Sequence, residues 1–80
     1  MKTKLILSTT KKKFEQWTNL PVIPRLNEWF NVQDILMNNE ISAIKKSATS
    51  WSGTRGKVQS VEYRHDDNDF YIEVFILCED

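Results

Sequence analysis

The feature that most constrains this chain lies in its last quarter. There, two runs of alternating apolar and polar residues flank the polar cluster Asp66-Asp67-Asn68-Asp69. A period of two is the mark of strands with one buried face, and Asp and Asn are natural turn formers. Residues 58–65 and 70–78 are therefore predicted to form a β-hairpin. Whether Asp67-Asn68 alone makes the turn or all four residues form the loop, the pairing is the same. His65 faces Phe70, Tyr63 faces Ile72 and Val61 faces Val74. That register places Val61, Tyr63, Phe70, Ile72, Val74 and Ile76 on one face, and Ser60, Glu62, Arg64, Tyr71, Glu73, Phe75 and Leu77 on the other. A three-residue loop would offset the two apolar sets by one and turn one of them outward. The surviving register sets Glu62 against Glu73, a mild repulsion that Arg64 offsets from a diagonal position.

Upstream, Leu5, Ile6 and Leu7 within Lys2–Ser8 predict a short, well-buried strand, followed by a polar loop through Lys13. Phe14-Glu15-Gln16-Trp17 suits either a helix, in which Phe14 and Trp17 share a face, or a strand. Pro21 and Pro24 exclude a helix interior and favour extended chain around Val22 and Ile23. Leu26–Phe30 resumes as a strand candidate, with Asn27 able to accept a turn or bulge. Ile41, Ile44, Ala48 and Trp51, spaced by three, four and three, predict one helix over about 39–51. Asn38 or Asn39 would cap it, with Glu40 in the first turn, where the helix dipole favours an anion. Gly53 and Gly56 would close it. The order of elements predicts a single α+β domain over 1–80: a small antiparallel sheet or SH3-like partial barrel with one inserted helix and a C-terminal hairpin.

A chain of 80 residues buries a limited share of its surface and has modest stability. Disulfide or Cys/His zinc support is not available, because Cys78 is the only cysteine and His65 the only histidine. The nine aromatics, Trp17, Trp29 and Trp51 among them, are the expected compensation. Neither a signal-peptide core nor a run of about 20 apolar residues is present. With one unpaired thiol, a cytoplasmic location is expected.

Each candidate chemistry has a simpler structural reading beside it. Asp66–Asp69 offers oxygen ligands, but it lacks the glycine and terminal glutamate of an EF-hand loop, and a tight turn cannot aim four adjacent side chains inward. Trp51-Ser52-Gly53-Thr54-Arg55-Gly56 has the composition of a phosphate loop, yet it follows a helix, whereas such loops precede one. His65 and Cys78 fall at opposite ends of the hairpin, which separates nucleophile from base. Glu62 and Glu73 on a flat sheet have no cleft in which to act as acid and base. No catalytic, cofactor or metal residues are therefore assigned, and the chain is expected not to be an enzyme.

Two binding readings remain. Tyr71, Phe75 and Leu77 share the hairpin's second face. If the helix covers the first face, these three need cover from the Trp17–Trp29 region, from a partner protein or from a second copy. With Arg55 at an exposed loop tip, they are the candidate partner-binding residues. The alternative is a nucleic-acid site at Lys11, Lys12 and Lys13 with Arg55, using Phe14 and Trp17 for stacking. A net charge of zero weighs against that alternative.

Pro24-Arg25-Leu26-Asn27-Glu28-Trp29 and Gly56-Lys57-Val58-Gln59-Ser60-Val61-Glu62-Tyr63-Arg64 together resemble a pattern in small uncharacterised proteins of bacterial and phage or mobile-element genomes. There a PR-x-G/N-E strand start precedes G-x-V-x-x-V and a closing hairpin. The likeness spans about residues 24–78, with Asn27 where a glycine is commoner. It implies a small sheet-rich barrel and transfers no functional residue. A non-catalytic protein-binding module, such as an accessory or inhibitor protein of a mobile element, is the function expected.

The zero net charge conceals a segregation. Residues 1–13 carry five lysines and no acid, whereas residues 65–80 carry six acids and no lysine or arginine. The two ends are thus expected to be neighbours. Antiparallel pairing would bring Lys2 and Lys4 to Glu79 and Asp80, and Lys11–Lys13 to the Asp66–Asp69 turn. Parallel pairing would also neutralise the ends, so charge alone does not choose direction.

Overall fold

Leu5, Ile6 and Leu7 are all buried, as befits a strand in the interior of a sheet. In a computed structural model that describes residues 2–79, β1 (Lys2–Ser8) lies between β2 (Lys13–Asn19) and β5 (Asp69–Leu77). β4 (Arg55–Asp66) and β3 (Trp29–Asn31) complete a five-stranded sheet of order β2-β1-β5-β4-β3, curled into a half-barrel. The sheet is mixed rather than antiparallel, because β1 runs parallel to β5. That direction carries Lys2 to Asp69, with Nζ 3.1 Å from Oδ2, and leaves Lys11–Lys13 at the end of the sheet away from the Asp66–Asp69 turn. The first and last strands are neighbours as expected, and of the two directions that charge left open the pairing is the parallel one. Asp80 lies outside the described residues.

The hairpin register is the one the alternation dictates. His65 pairs with Phe70, Tyr63 with Ile72 and Val61 with Val74, and Asp66 pairs with Asp69 across the two-residue turn Asp67-Asn68. A bulge between Val58 and Ser60 inserts Gln59 and restores Val58 to the core face. The strands reach further than expected at the turn and at Arg55.

Residues 13–19 resolve as a strand, so Phe14 and Trp17 point to opposite faces. Pro21 and Pro24 withhold backbone donors, and the segment from Leu20 to Glu28 forms no strand. The extended stretch at Val22-Ile23 and the start of the Leu26–Phe30 candidate are therefore loop. Its turn holds Asn27 at φ 69, a left-handed conformation that asparagine tolerates better than most residues.

The helix α1 spans Asn38–Lys45, shorter than the apolar spacing suggests. Met37, not Asn38 or Asn39, is its N-cap residue, and the Glu40 carboxylate accepts the Met37 N–H at 2.8 Å. At the other end the Ser47 hydroxyl donates to the Ile44 carbonyl at 2.9 Å. This competition with the helical ladder is typical of serine. The chain continues in tight three-residue turns to Trp51. Trp51 is buried all the same and donates its indole N–H to the Arg55 carbonyl at 2.7 Å.

One face of the sheet, carrying Leu5, Leu7, Val58, Ile72, Val74, Ile76 and Cys78, forms the core with Leu20, Val32, Leu36, Ile41, Ile44 and Trp51 from the intervening segments. Each such side chain, fully buried, contributes roughly 1.5–3 kcal/mol.

Candidate protein-binding face

Every non-strand segment that joins the core packs on this first face. The opposite face is therefore assembled from strand residues alone. Three cross-strand rows define it. Trp17, Lys4, Glu73 and Glu62 form the first; Glu15, Ile6, Phe75 and Ser60 the second; Lys13, Ser8, Leu77, Lys57 and Trp29 the third. Tyr71 and Arg64 pair beside the first row, and Arg55 lies two residues beyond Lys57.

Tyr71, Phe75 and Leu77, the residues expected to bind a partner, are each half-buried, and all three stand apart from the core cluster. Their cover is lateral. The Trp17 ring meets Tyr71 edge-on, with centroids 5.1 Å apart, and remains half exposed. At the other corner the Arg55 guanidinium lies 4.0 Å from the Trp29 ring centre, with the Lys57 ammonium at 5.7 Å. Arg55 thus belongs to the same face, next to an exposed tryptophan rather than at a loop tip.

A chain of charges crosses between the two aromatic corners. Glu15 meets Lys4 at 2.9 Å, and Lys4 approaches Glu73 at 3.9 Å. Arg64 lies 3.5 Å from both Glu73 and Glu62. Glu73 is nearly buried, a position a carboxylate tolerates only when paired. The hydrogen bond from Lys4 to Glu15 is the main cause that raises the Lys4 pKa, against a smaller opposing effect of desolvation. Arg64 does resolve the Glu62–Glu73 repulsion, with Lys4 as a second counter-ion. Both carboxylates are held in ion pairs on an open sheet.

The nucleic-acid candidates do not converge. Lys11 and Lys12 border a shallow groove with Phe14, Ala43 and Lys46 on the α1 side, while Lys13 turns to the opposite face. From Lys13 to the β4 strand that carries Arg55 is three strand spacings, roughly 14 Å.

The remaining motifs are absorbed by the fold. Asp66 and Asp69 accept the N–H groups of Asp67 and Phe70, and Lys2 holds the Asp69 carboxyl below its ordinary range. Among the described residues no three His, Cys, Asp or Glu side chains cluster as metal ligands. Thr54 in the glycine-containing loop accepts the Val32 N–H. His65 stacks on Phe70 at the hairpin tip, with ring centres 4.5 Å apart, whereas Cys78 is buried at the far end. Burial pushes the Cys78 thiol up to about 12.

The sequence reading left Ile6, Lys4 and Glu15 out of this face, and named Trp29 as cover and Trp17 as cover or as a base-stacking residue. The strand alternation of 13–19 places Trp17 and Glu15 on one face, but only the pairing with β1 brings that face beside Tyr71. Comparisons with family models, with curated proteins and with solved structures find no match to this chain. Among the described residues no helix is long and apolar enough to cross a membrane.

Proposed function

We propose that this chain is a non-catalytic binding module that engages another protein through the open face of its sheet. In this reading the curled sheet is an SH3-like partial barrel, and the chain acts in the cytoplasm as an accessory or inhibitor protein of a mobile element. The observation that carries the proposal is the composition of a face over which none of the described core segments lies. Trp17, Tyr71, Phe75, Trp29 and Arg55 share it, and tyrosine, tryptophan and arginine are the residues on which interface energy concentrates. The charges of Lys4 and Glu73 are already paired within the chain, and the aromatic corners supply the contact area.

Phe75→Asp tests this reading by introducing a charge at the centre of the face without touching the core cluster. Affinity capture from the source cell should recover a partner with the parent chain and lose it with the variant, with circular dichroism unchanged. Equal recovery by both would reject the face. The alternative, a nucleic-acid ligand at Lys11–Lys13 and Arg55, would have to span both sides of the sheet. Binding to oligonucleotides that weakens steeply with salt, and survives Phe75→Asp, would favour it instead.

A further inference from the structure

The two edges of the sheet are finished differently. On β2 the outer edge carries Lys13, and Glu15 beside it is tied to Lys4; charges of this kind discourage a further strand. On the other side, β3 pairs only with Arg55, Gly56 and Lys57, and the Asn27–Glu28 backbone bonds Val58. From Gln59 to Asp66 no described strand pairs with the outer edge of β4. That stretch contains neither lysine nor proline.

The direction of its free groups follows from the ladder. Cys78 bonds toward β1 through its N–H to the Ser8 carbonyl. Alternation along β5 therefore turns Phe75, Glu73 and Tyr71 toward β4. Their partners Ser60, Glu62 and Arg64 bond inward, which leaves Val61, Tyr63 and His65 presenting N–H and C=O groups outward.

We propose that this edge is a homodimer contact, in which β4 pairs antiparallel with β4 of a second copy about a two-fold axis at Tyr63. The contact is made by the backbone edge of β4 and not by the aromatic residues of the open face, although Glu62 and Arg64, which set its register, border that face. The register is selected by charge. With Tyr63 opposite the partner's Tyr63, Glu62 faces the partner's Arg64 and Arg64 faces the partner's Glu62, two ion pairs generated by symmetry. The neighbouring registers that keep the same bonding set place Glu62 against the partner's Glu62, or Arg64 against the partner's Arg64. Both are repulsive.

The same register covers apolar surface that the monomer leaves open. Tyr63 and Phe70 are 74% and 75% exposed, and Leu26 is 58% exposed. The partner's His65 falls beside Val61, at the groove of about 600 Å³ that Ile23, Pro24 and Leu26 form with Val61 and Tyr63. The partner's Phe70, stacked on that histidine, follows it there.

Sedimentation equilibrium on the full chain tests the pairing with a charge exchange. The parent protein should be dimeric. Glu62→Arg and Arg64→Glu should each weaken the dimer by about tenfold or more, since each sets like charges opposite one another. An equimolar mixture of the two variants should recover the dimer, because every Arg then faces a Glu across the axis. Glu62→Arg leaves the Arg64–Glu73 pair in place and is the variant to read if Arg64→Glu fails to fold. A parent chain that is monomeric throughout would overturn the proposal, and so would a dimer that Glu62→Arg leaves intact. A dimer that Phe75→Asp breaks while Glu62→Arg does not would place self-association on the open face and overturn the edge contact.

Discussion

In the half of the C-terminal hairpin next to Gly56 and Cys78, Val58, Val74 and Ile76 have no exposed surface, whereas Tyr63 and Phe70 near the turn are 74% and 75% exposed. All five belong to the same face of the hairpin; Tyr63, Phe70, Val74 and Ile76 follow the alternation of the sequence without distinction, and Val58 joins them through the bulge at Gln59. The difference comes from the covering layer. α1 and the turns to Trp51 seat Ile41, Ile44 and Trp51 over the near half. β4 and β5, at twelve and nine residues, run beyond them. The molecule is accordingly elongated, at 38 × 22 × 22 Å. Period-two alternation reports register; burial depends on how far the second layer extends.

The largest expected effect is the contrast between truncations in the two halves. Ile76→Ala should cost about 4 kcal/mol, the transfer and cavity loss of a fully buried side chain. Phe70→Ala, measured at low protein concentration where the chain is monomeric, should cost less than about 1 kcal/mol. Urea unfolding of both variants checks this, and equal losses would mean that the distal half is covered in solution.

Next comes Gly56→Ala. A Cβ there would clash with Ile76 Cγ2 and stand 2.9 Å from the Leu77 carbonyl oxygen. The side chain can shift but the paired backbone cannot, so the ladder must open. The expected loss is about 3 kcal/mol, in the range of overpacked cores, read as a lower urea midpoint. An unchanged midpoint would show that the near half is more compliant than its burial implies.

Thiol chemistry separates the halves without disturbing either. Cys78 is buried, and its pKa is raised from 9.0 to about 12 by desolvation. A thiol raised that far is almost wholly protonated near neutral pH, and the thiolate is the reactive form. Native Cys78 should therefore resist a disulfide reagent until the protein unfolds. A second thiol introduced by Tyr63→Cys should react at the rate of a free cysteine. Rapid labelling of Cys78 in the native parent would contradict its burial.

These contrasts also mark what the sequence could carry. The hairpin register, the strand at Leu5–Leu7 and the core stripe Ile41–Ile44 were legible because alternation and helical spacing are local patterns. The length of α1 was not, because Ser47 competes with the ladder while Trp51 still reaches the core by turns that mimic the helical spacing. The direction of β1 was not legible either, since charge neutralisation serves both directions. The candidate face was half legible. Tyr71, Phe75 and Leu77 follow from the hairpin, but Trp17, Lys4 and Glu15 join them only through long-range pairing with β1 and β2, which no local pattern encodes. Arg55 was legible as an exposed residue, and its place against Trp29 was not.

The smallest predicted effect lies at the distal end and tests the direction of β1 itself. Lys2 reaches Asp69 only because β1 and β5 run parallel, and the hydrogen bond between them is the main cause that lowers the Asp69 pKa below its ordinary 3.8. A carboxyl whose folded pKa is depressed stabilises the native state above its unfolded pKa. That contribution is lost as the pH falls through the folded value. Lys2→Ala should therefore return the Asp69 titration, followed by carboxyl NMR, to the ordinary range. The stability difference between parent and variant should be present at neutral pH and vanish in acid below the Asp69 folded pKa. Both groups are about half exposed, so the difference is small and added salt should screen most of it. A titration of Asp69 that ignores Lys2→Ala would mean that Lys2 is not beside the turn, and the parallel pairing would have to be given up.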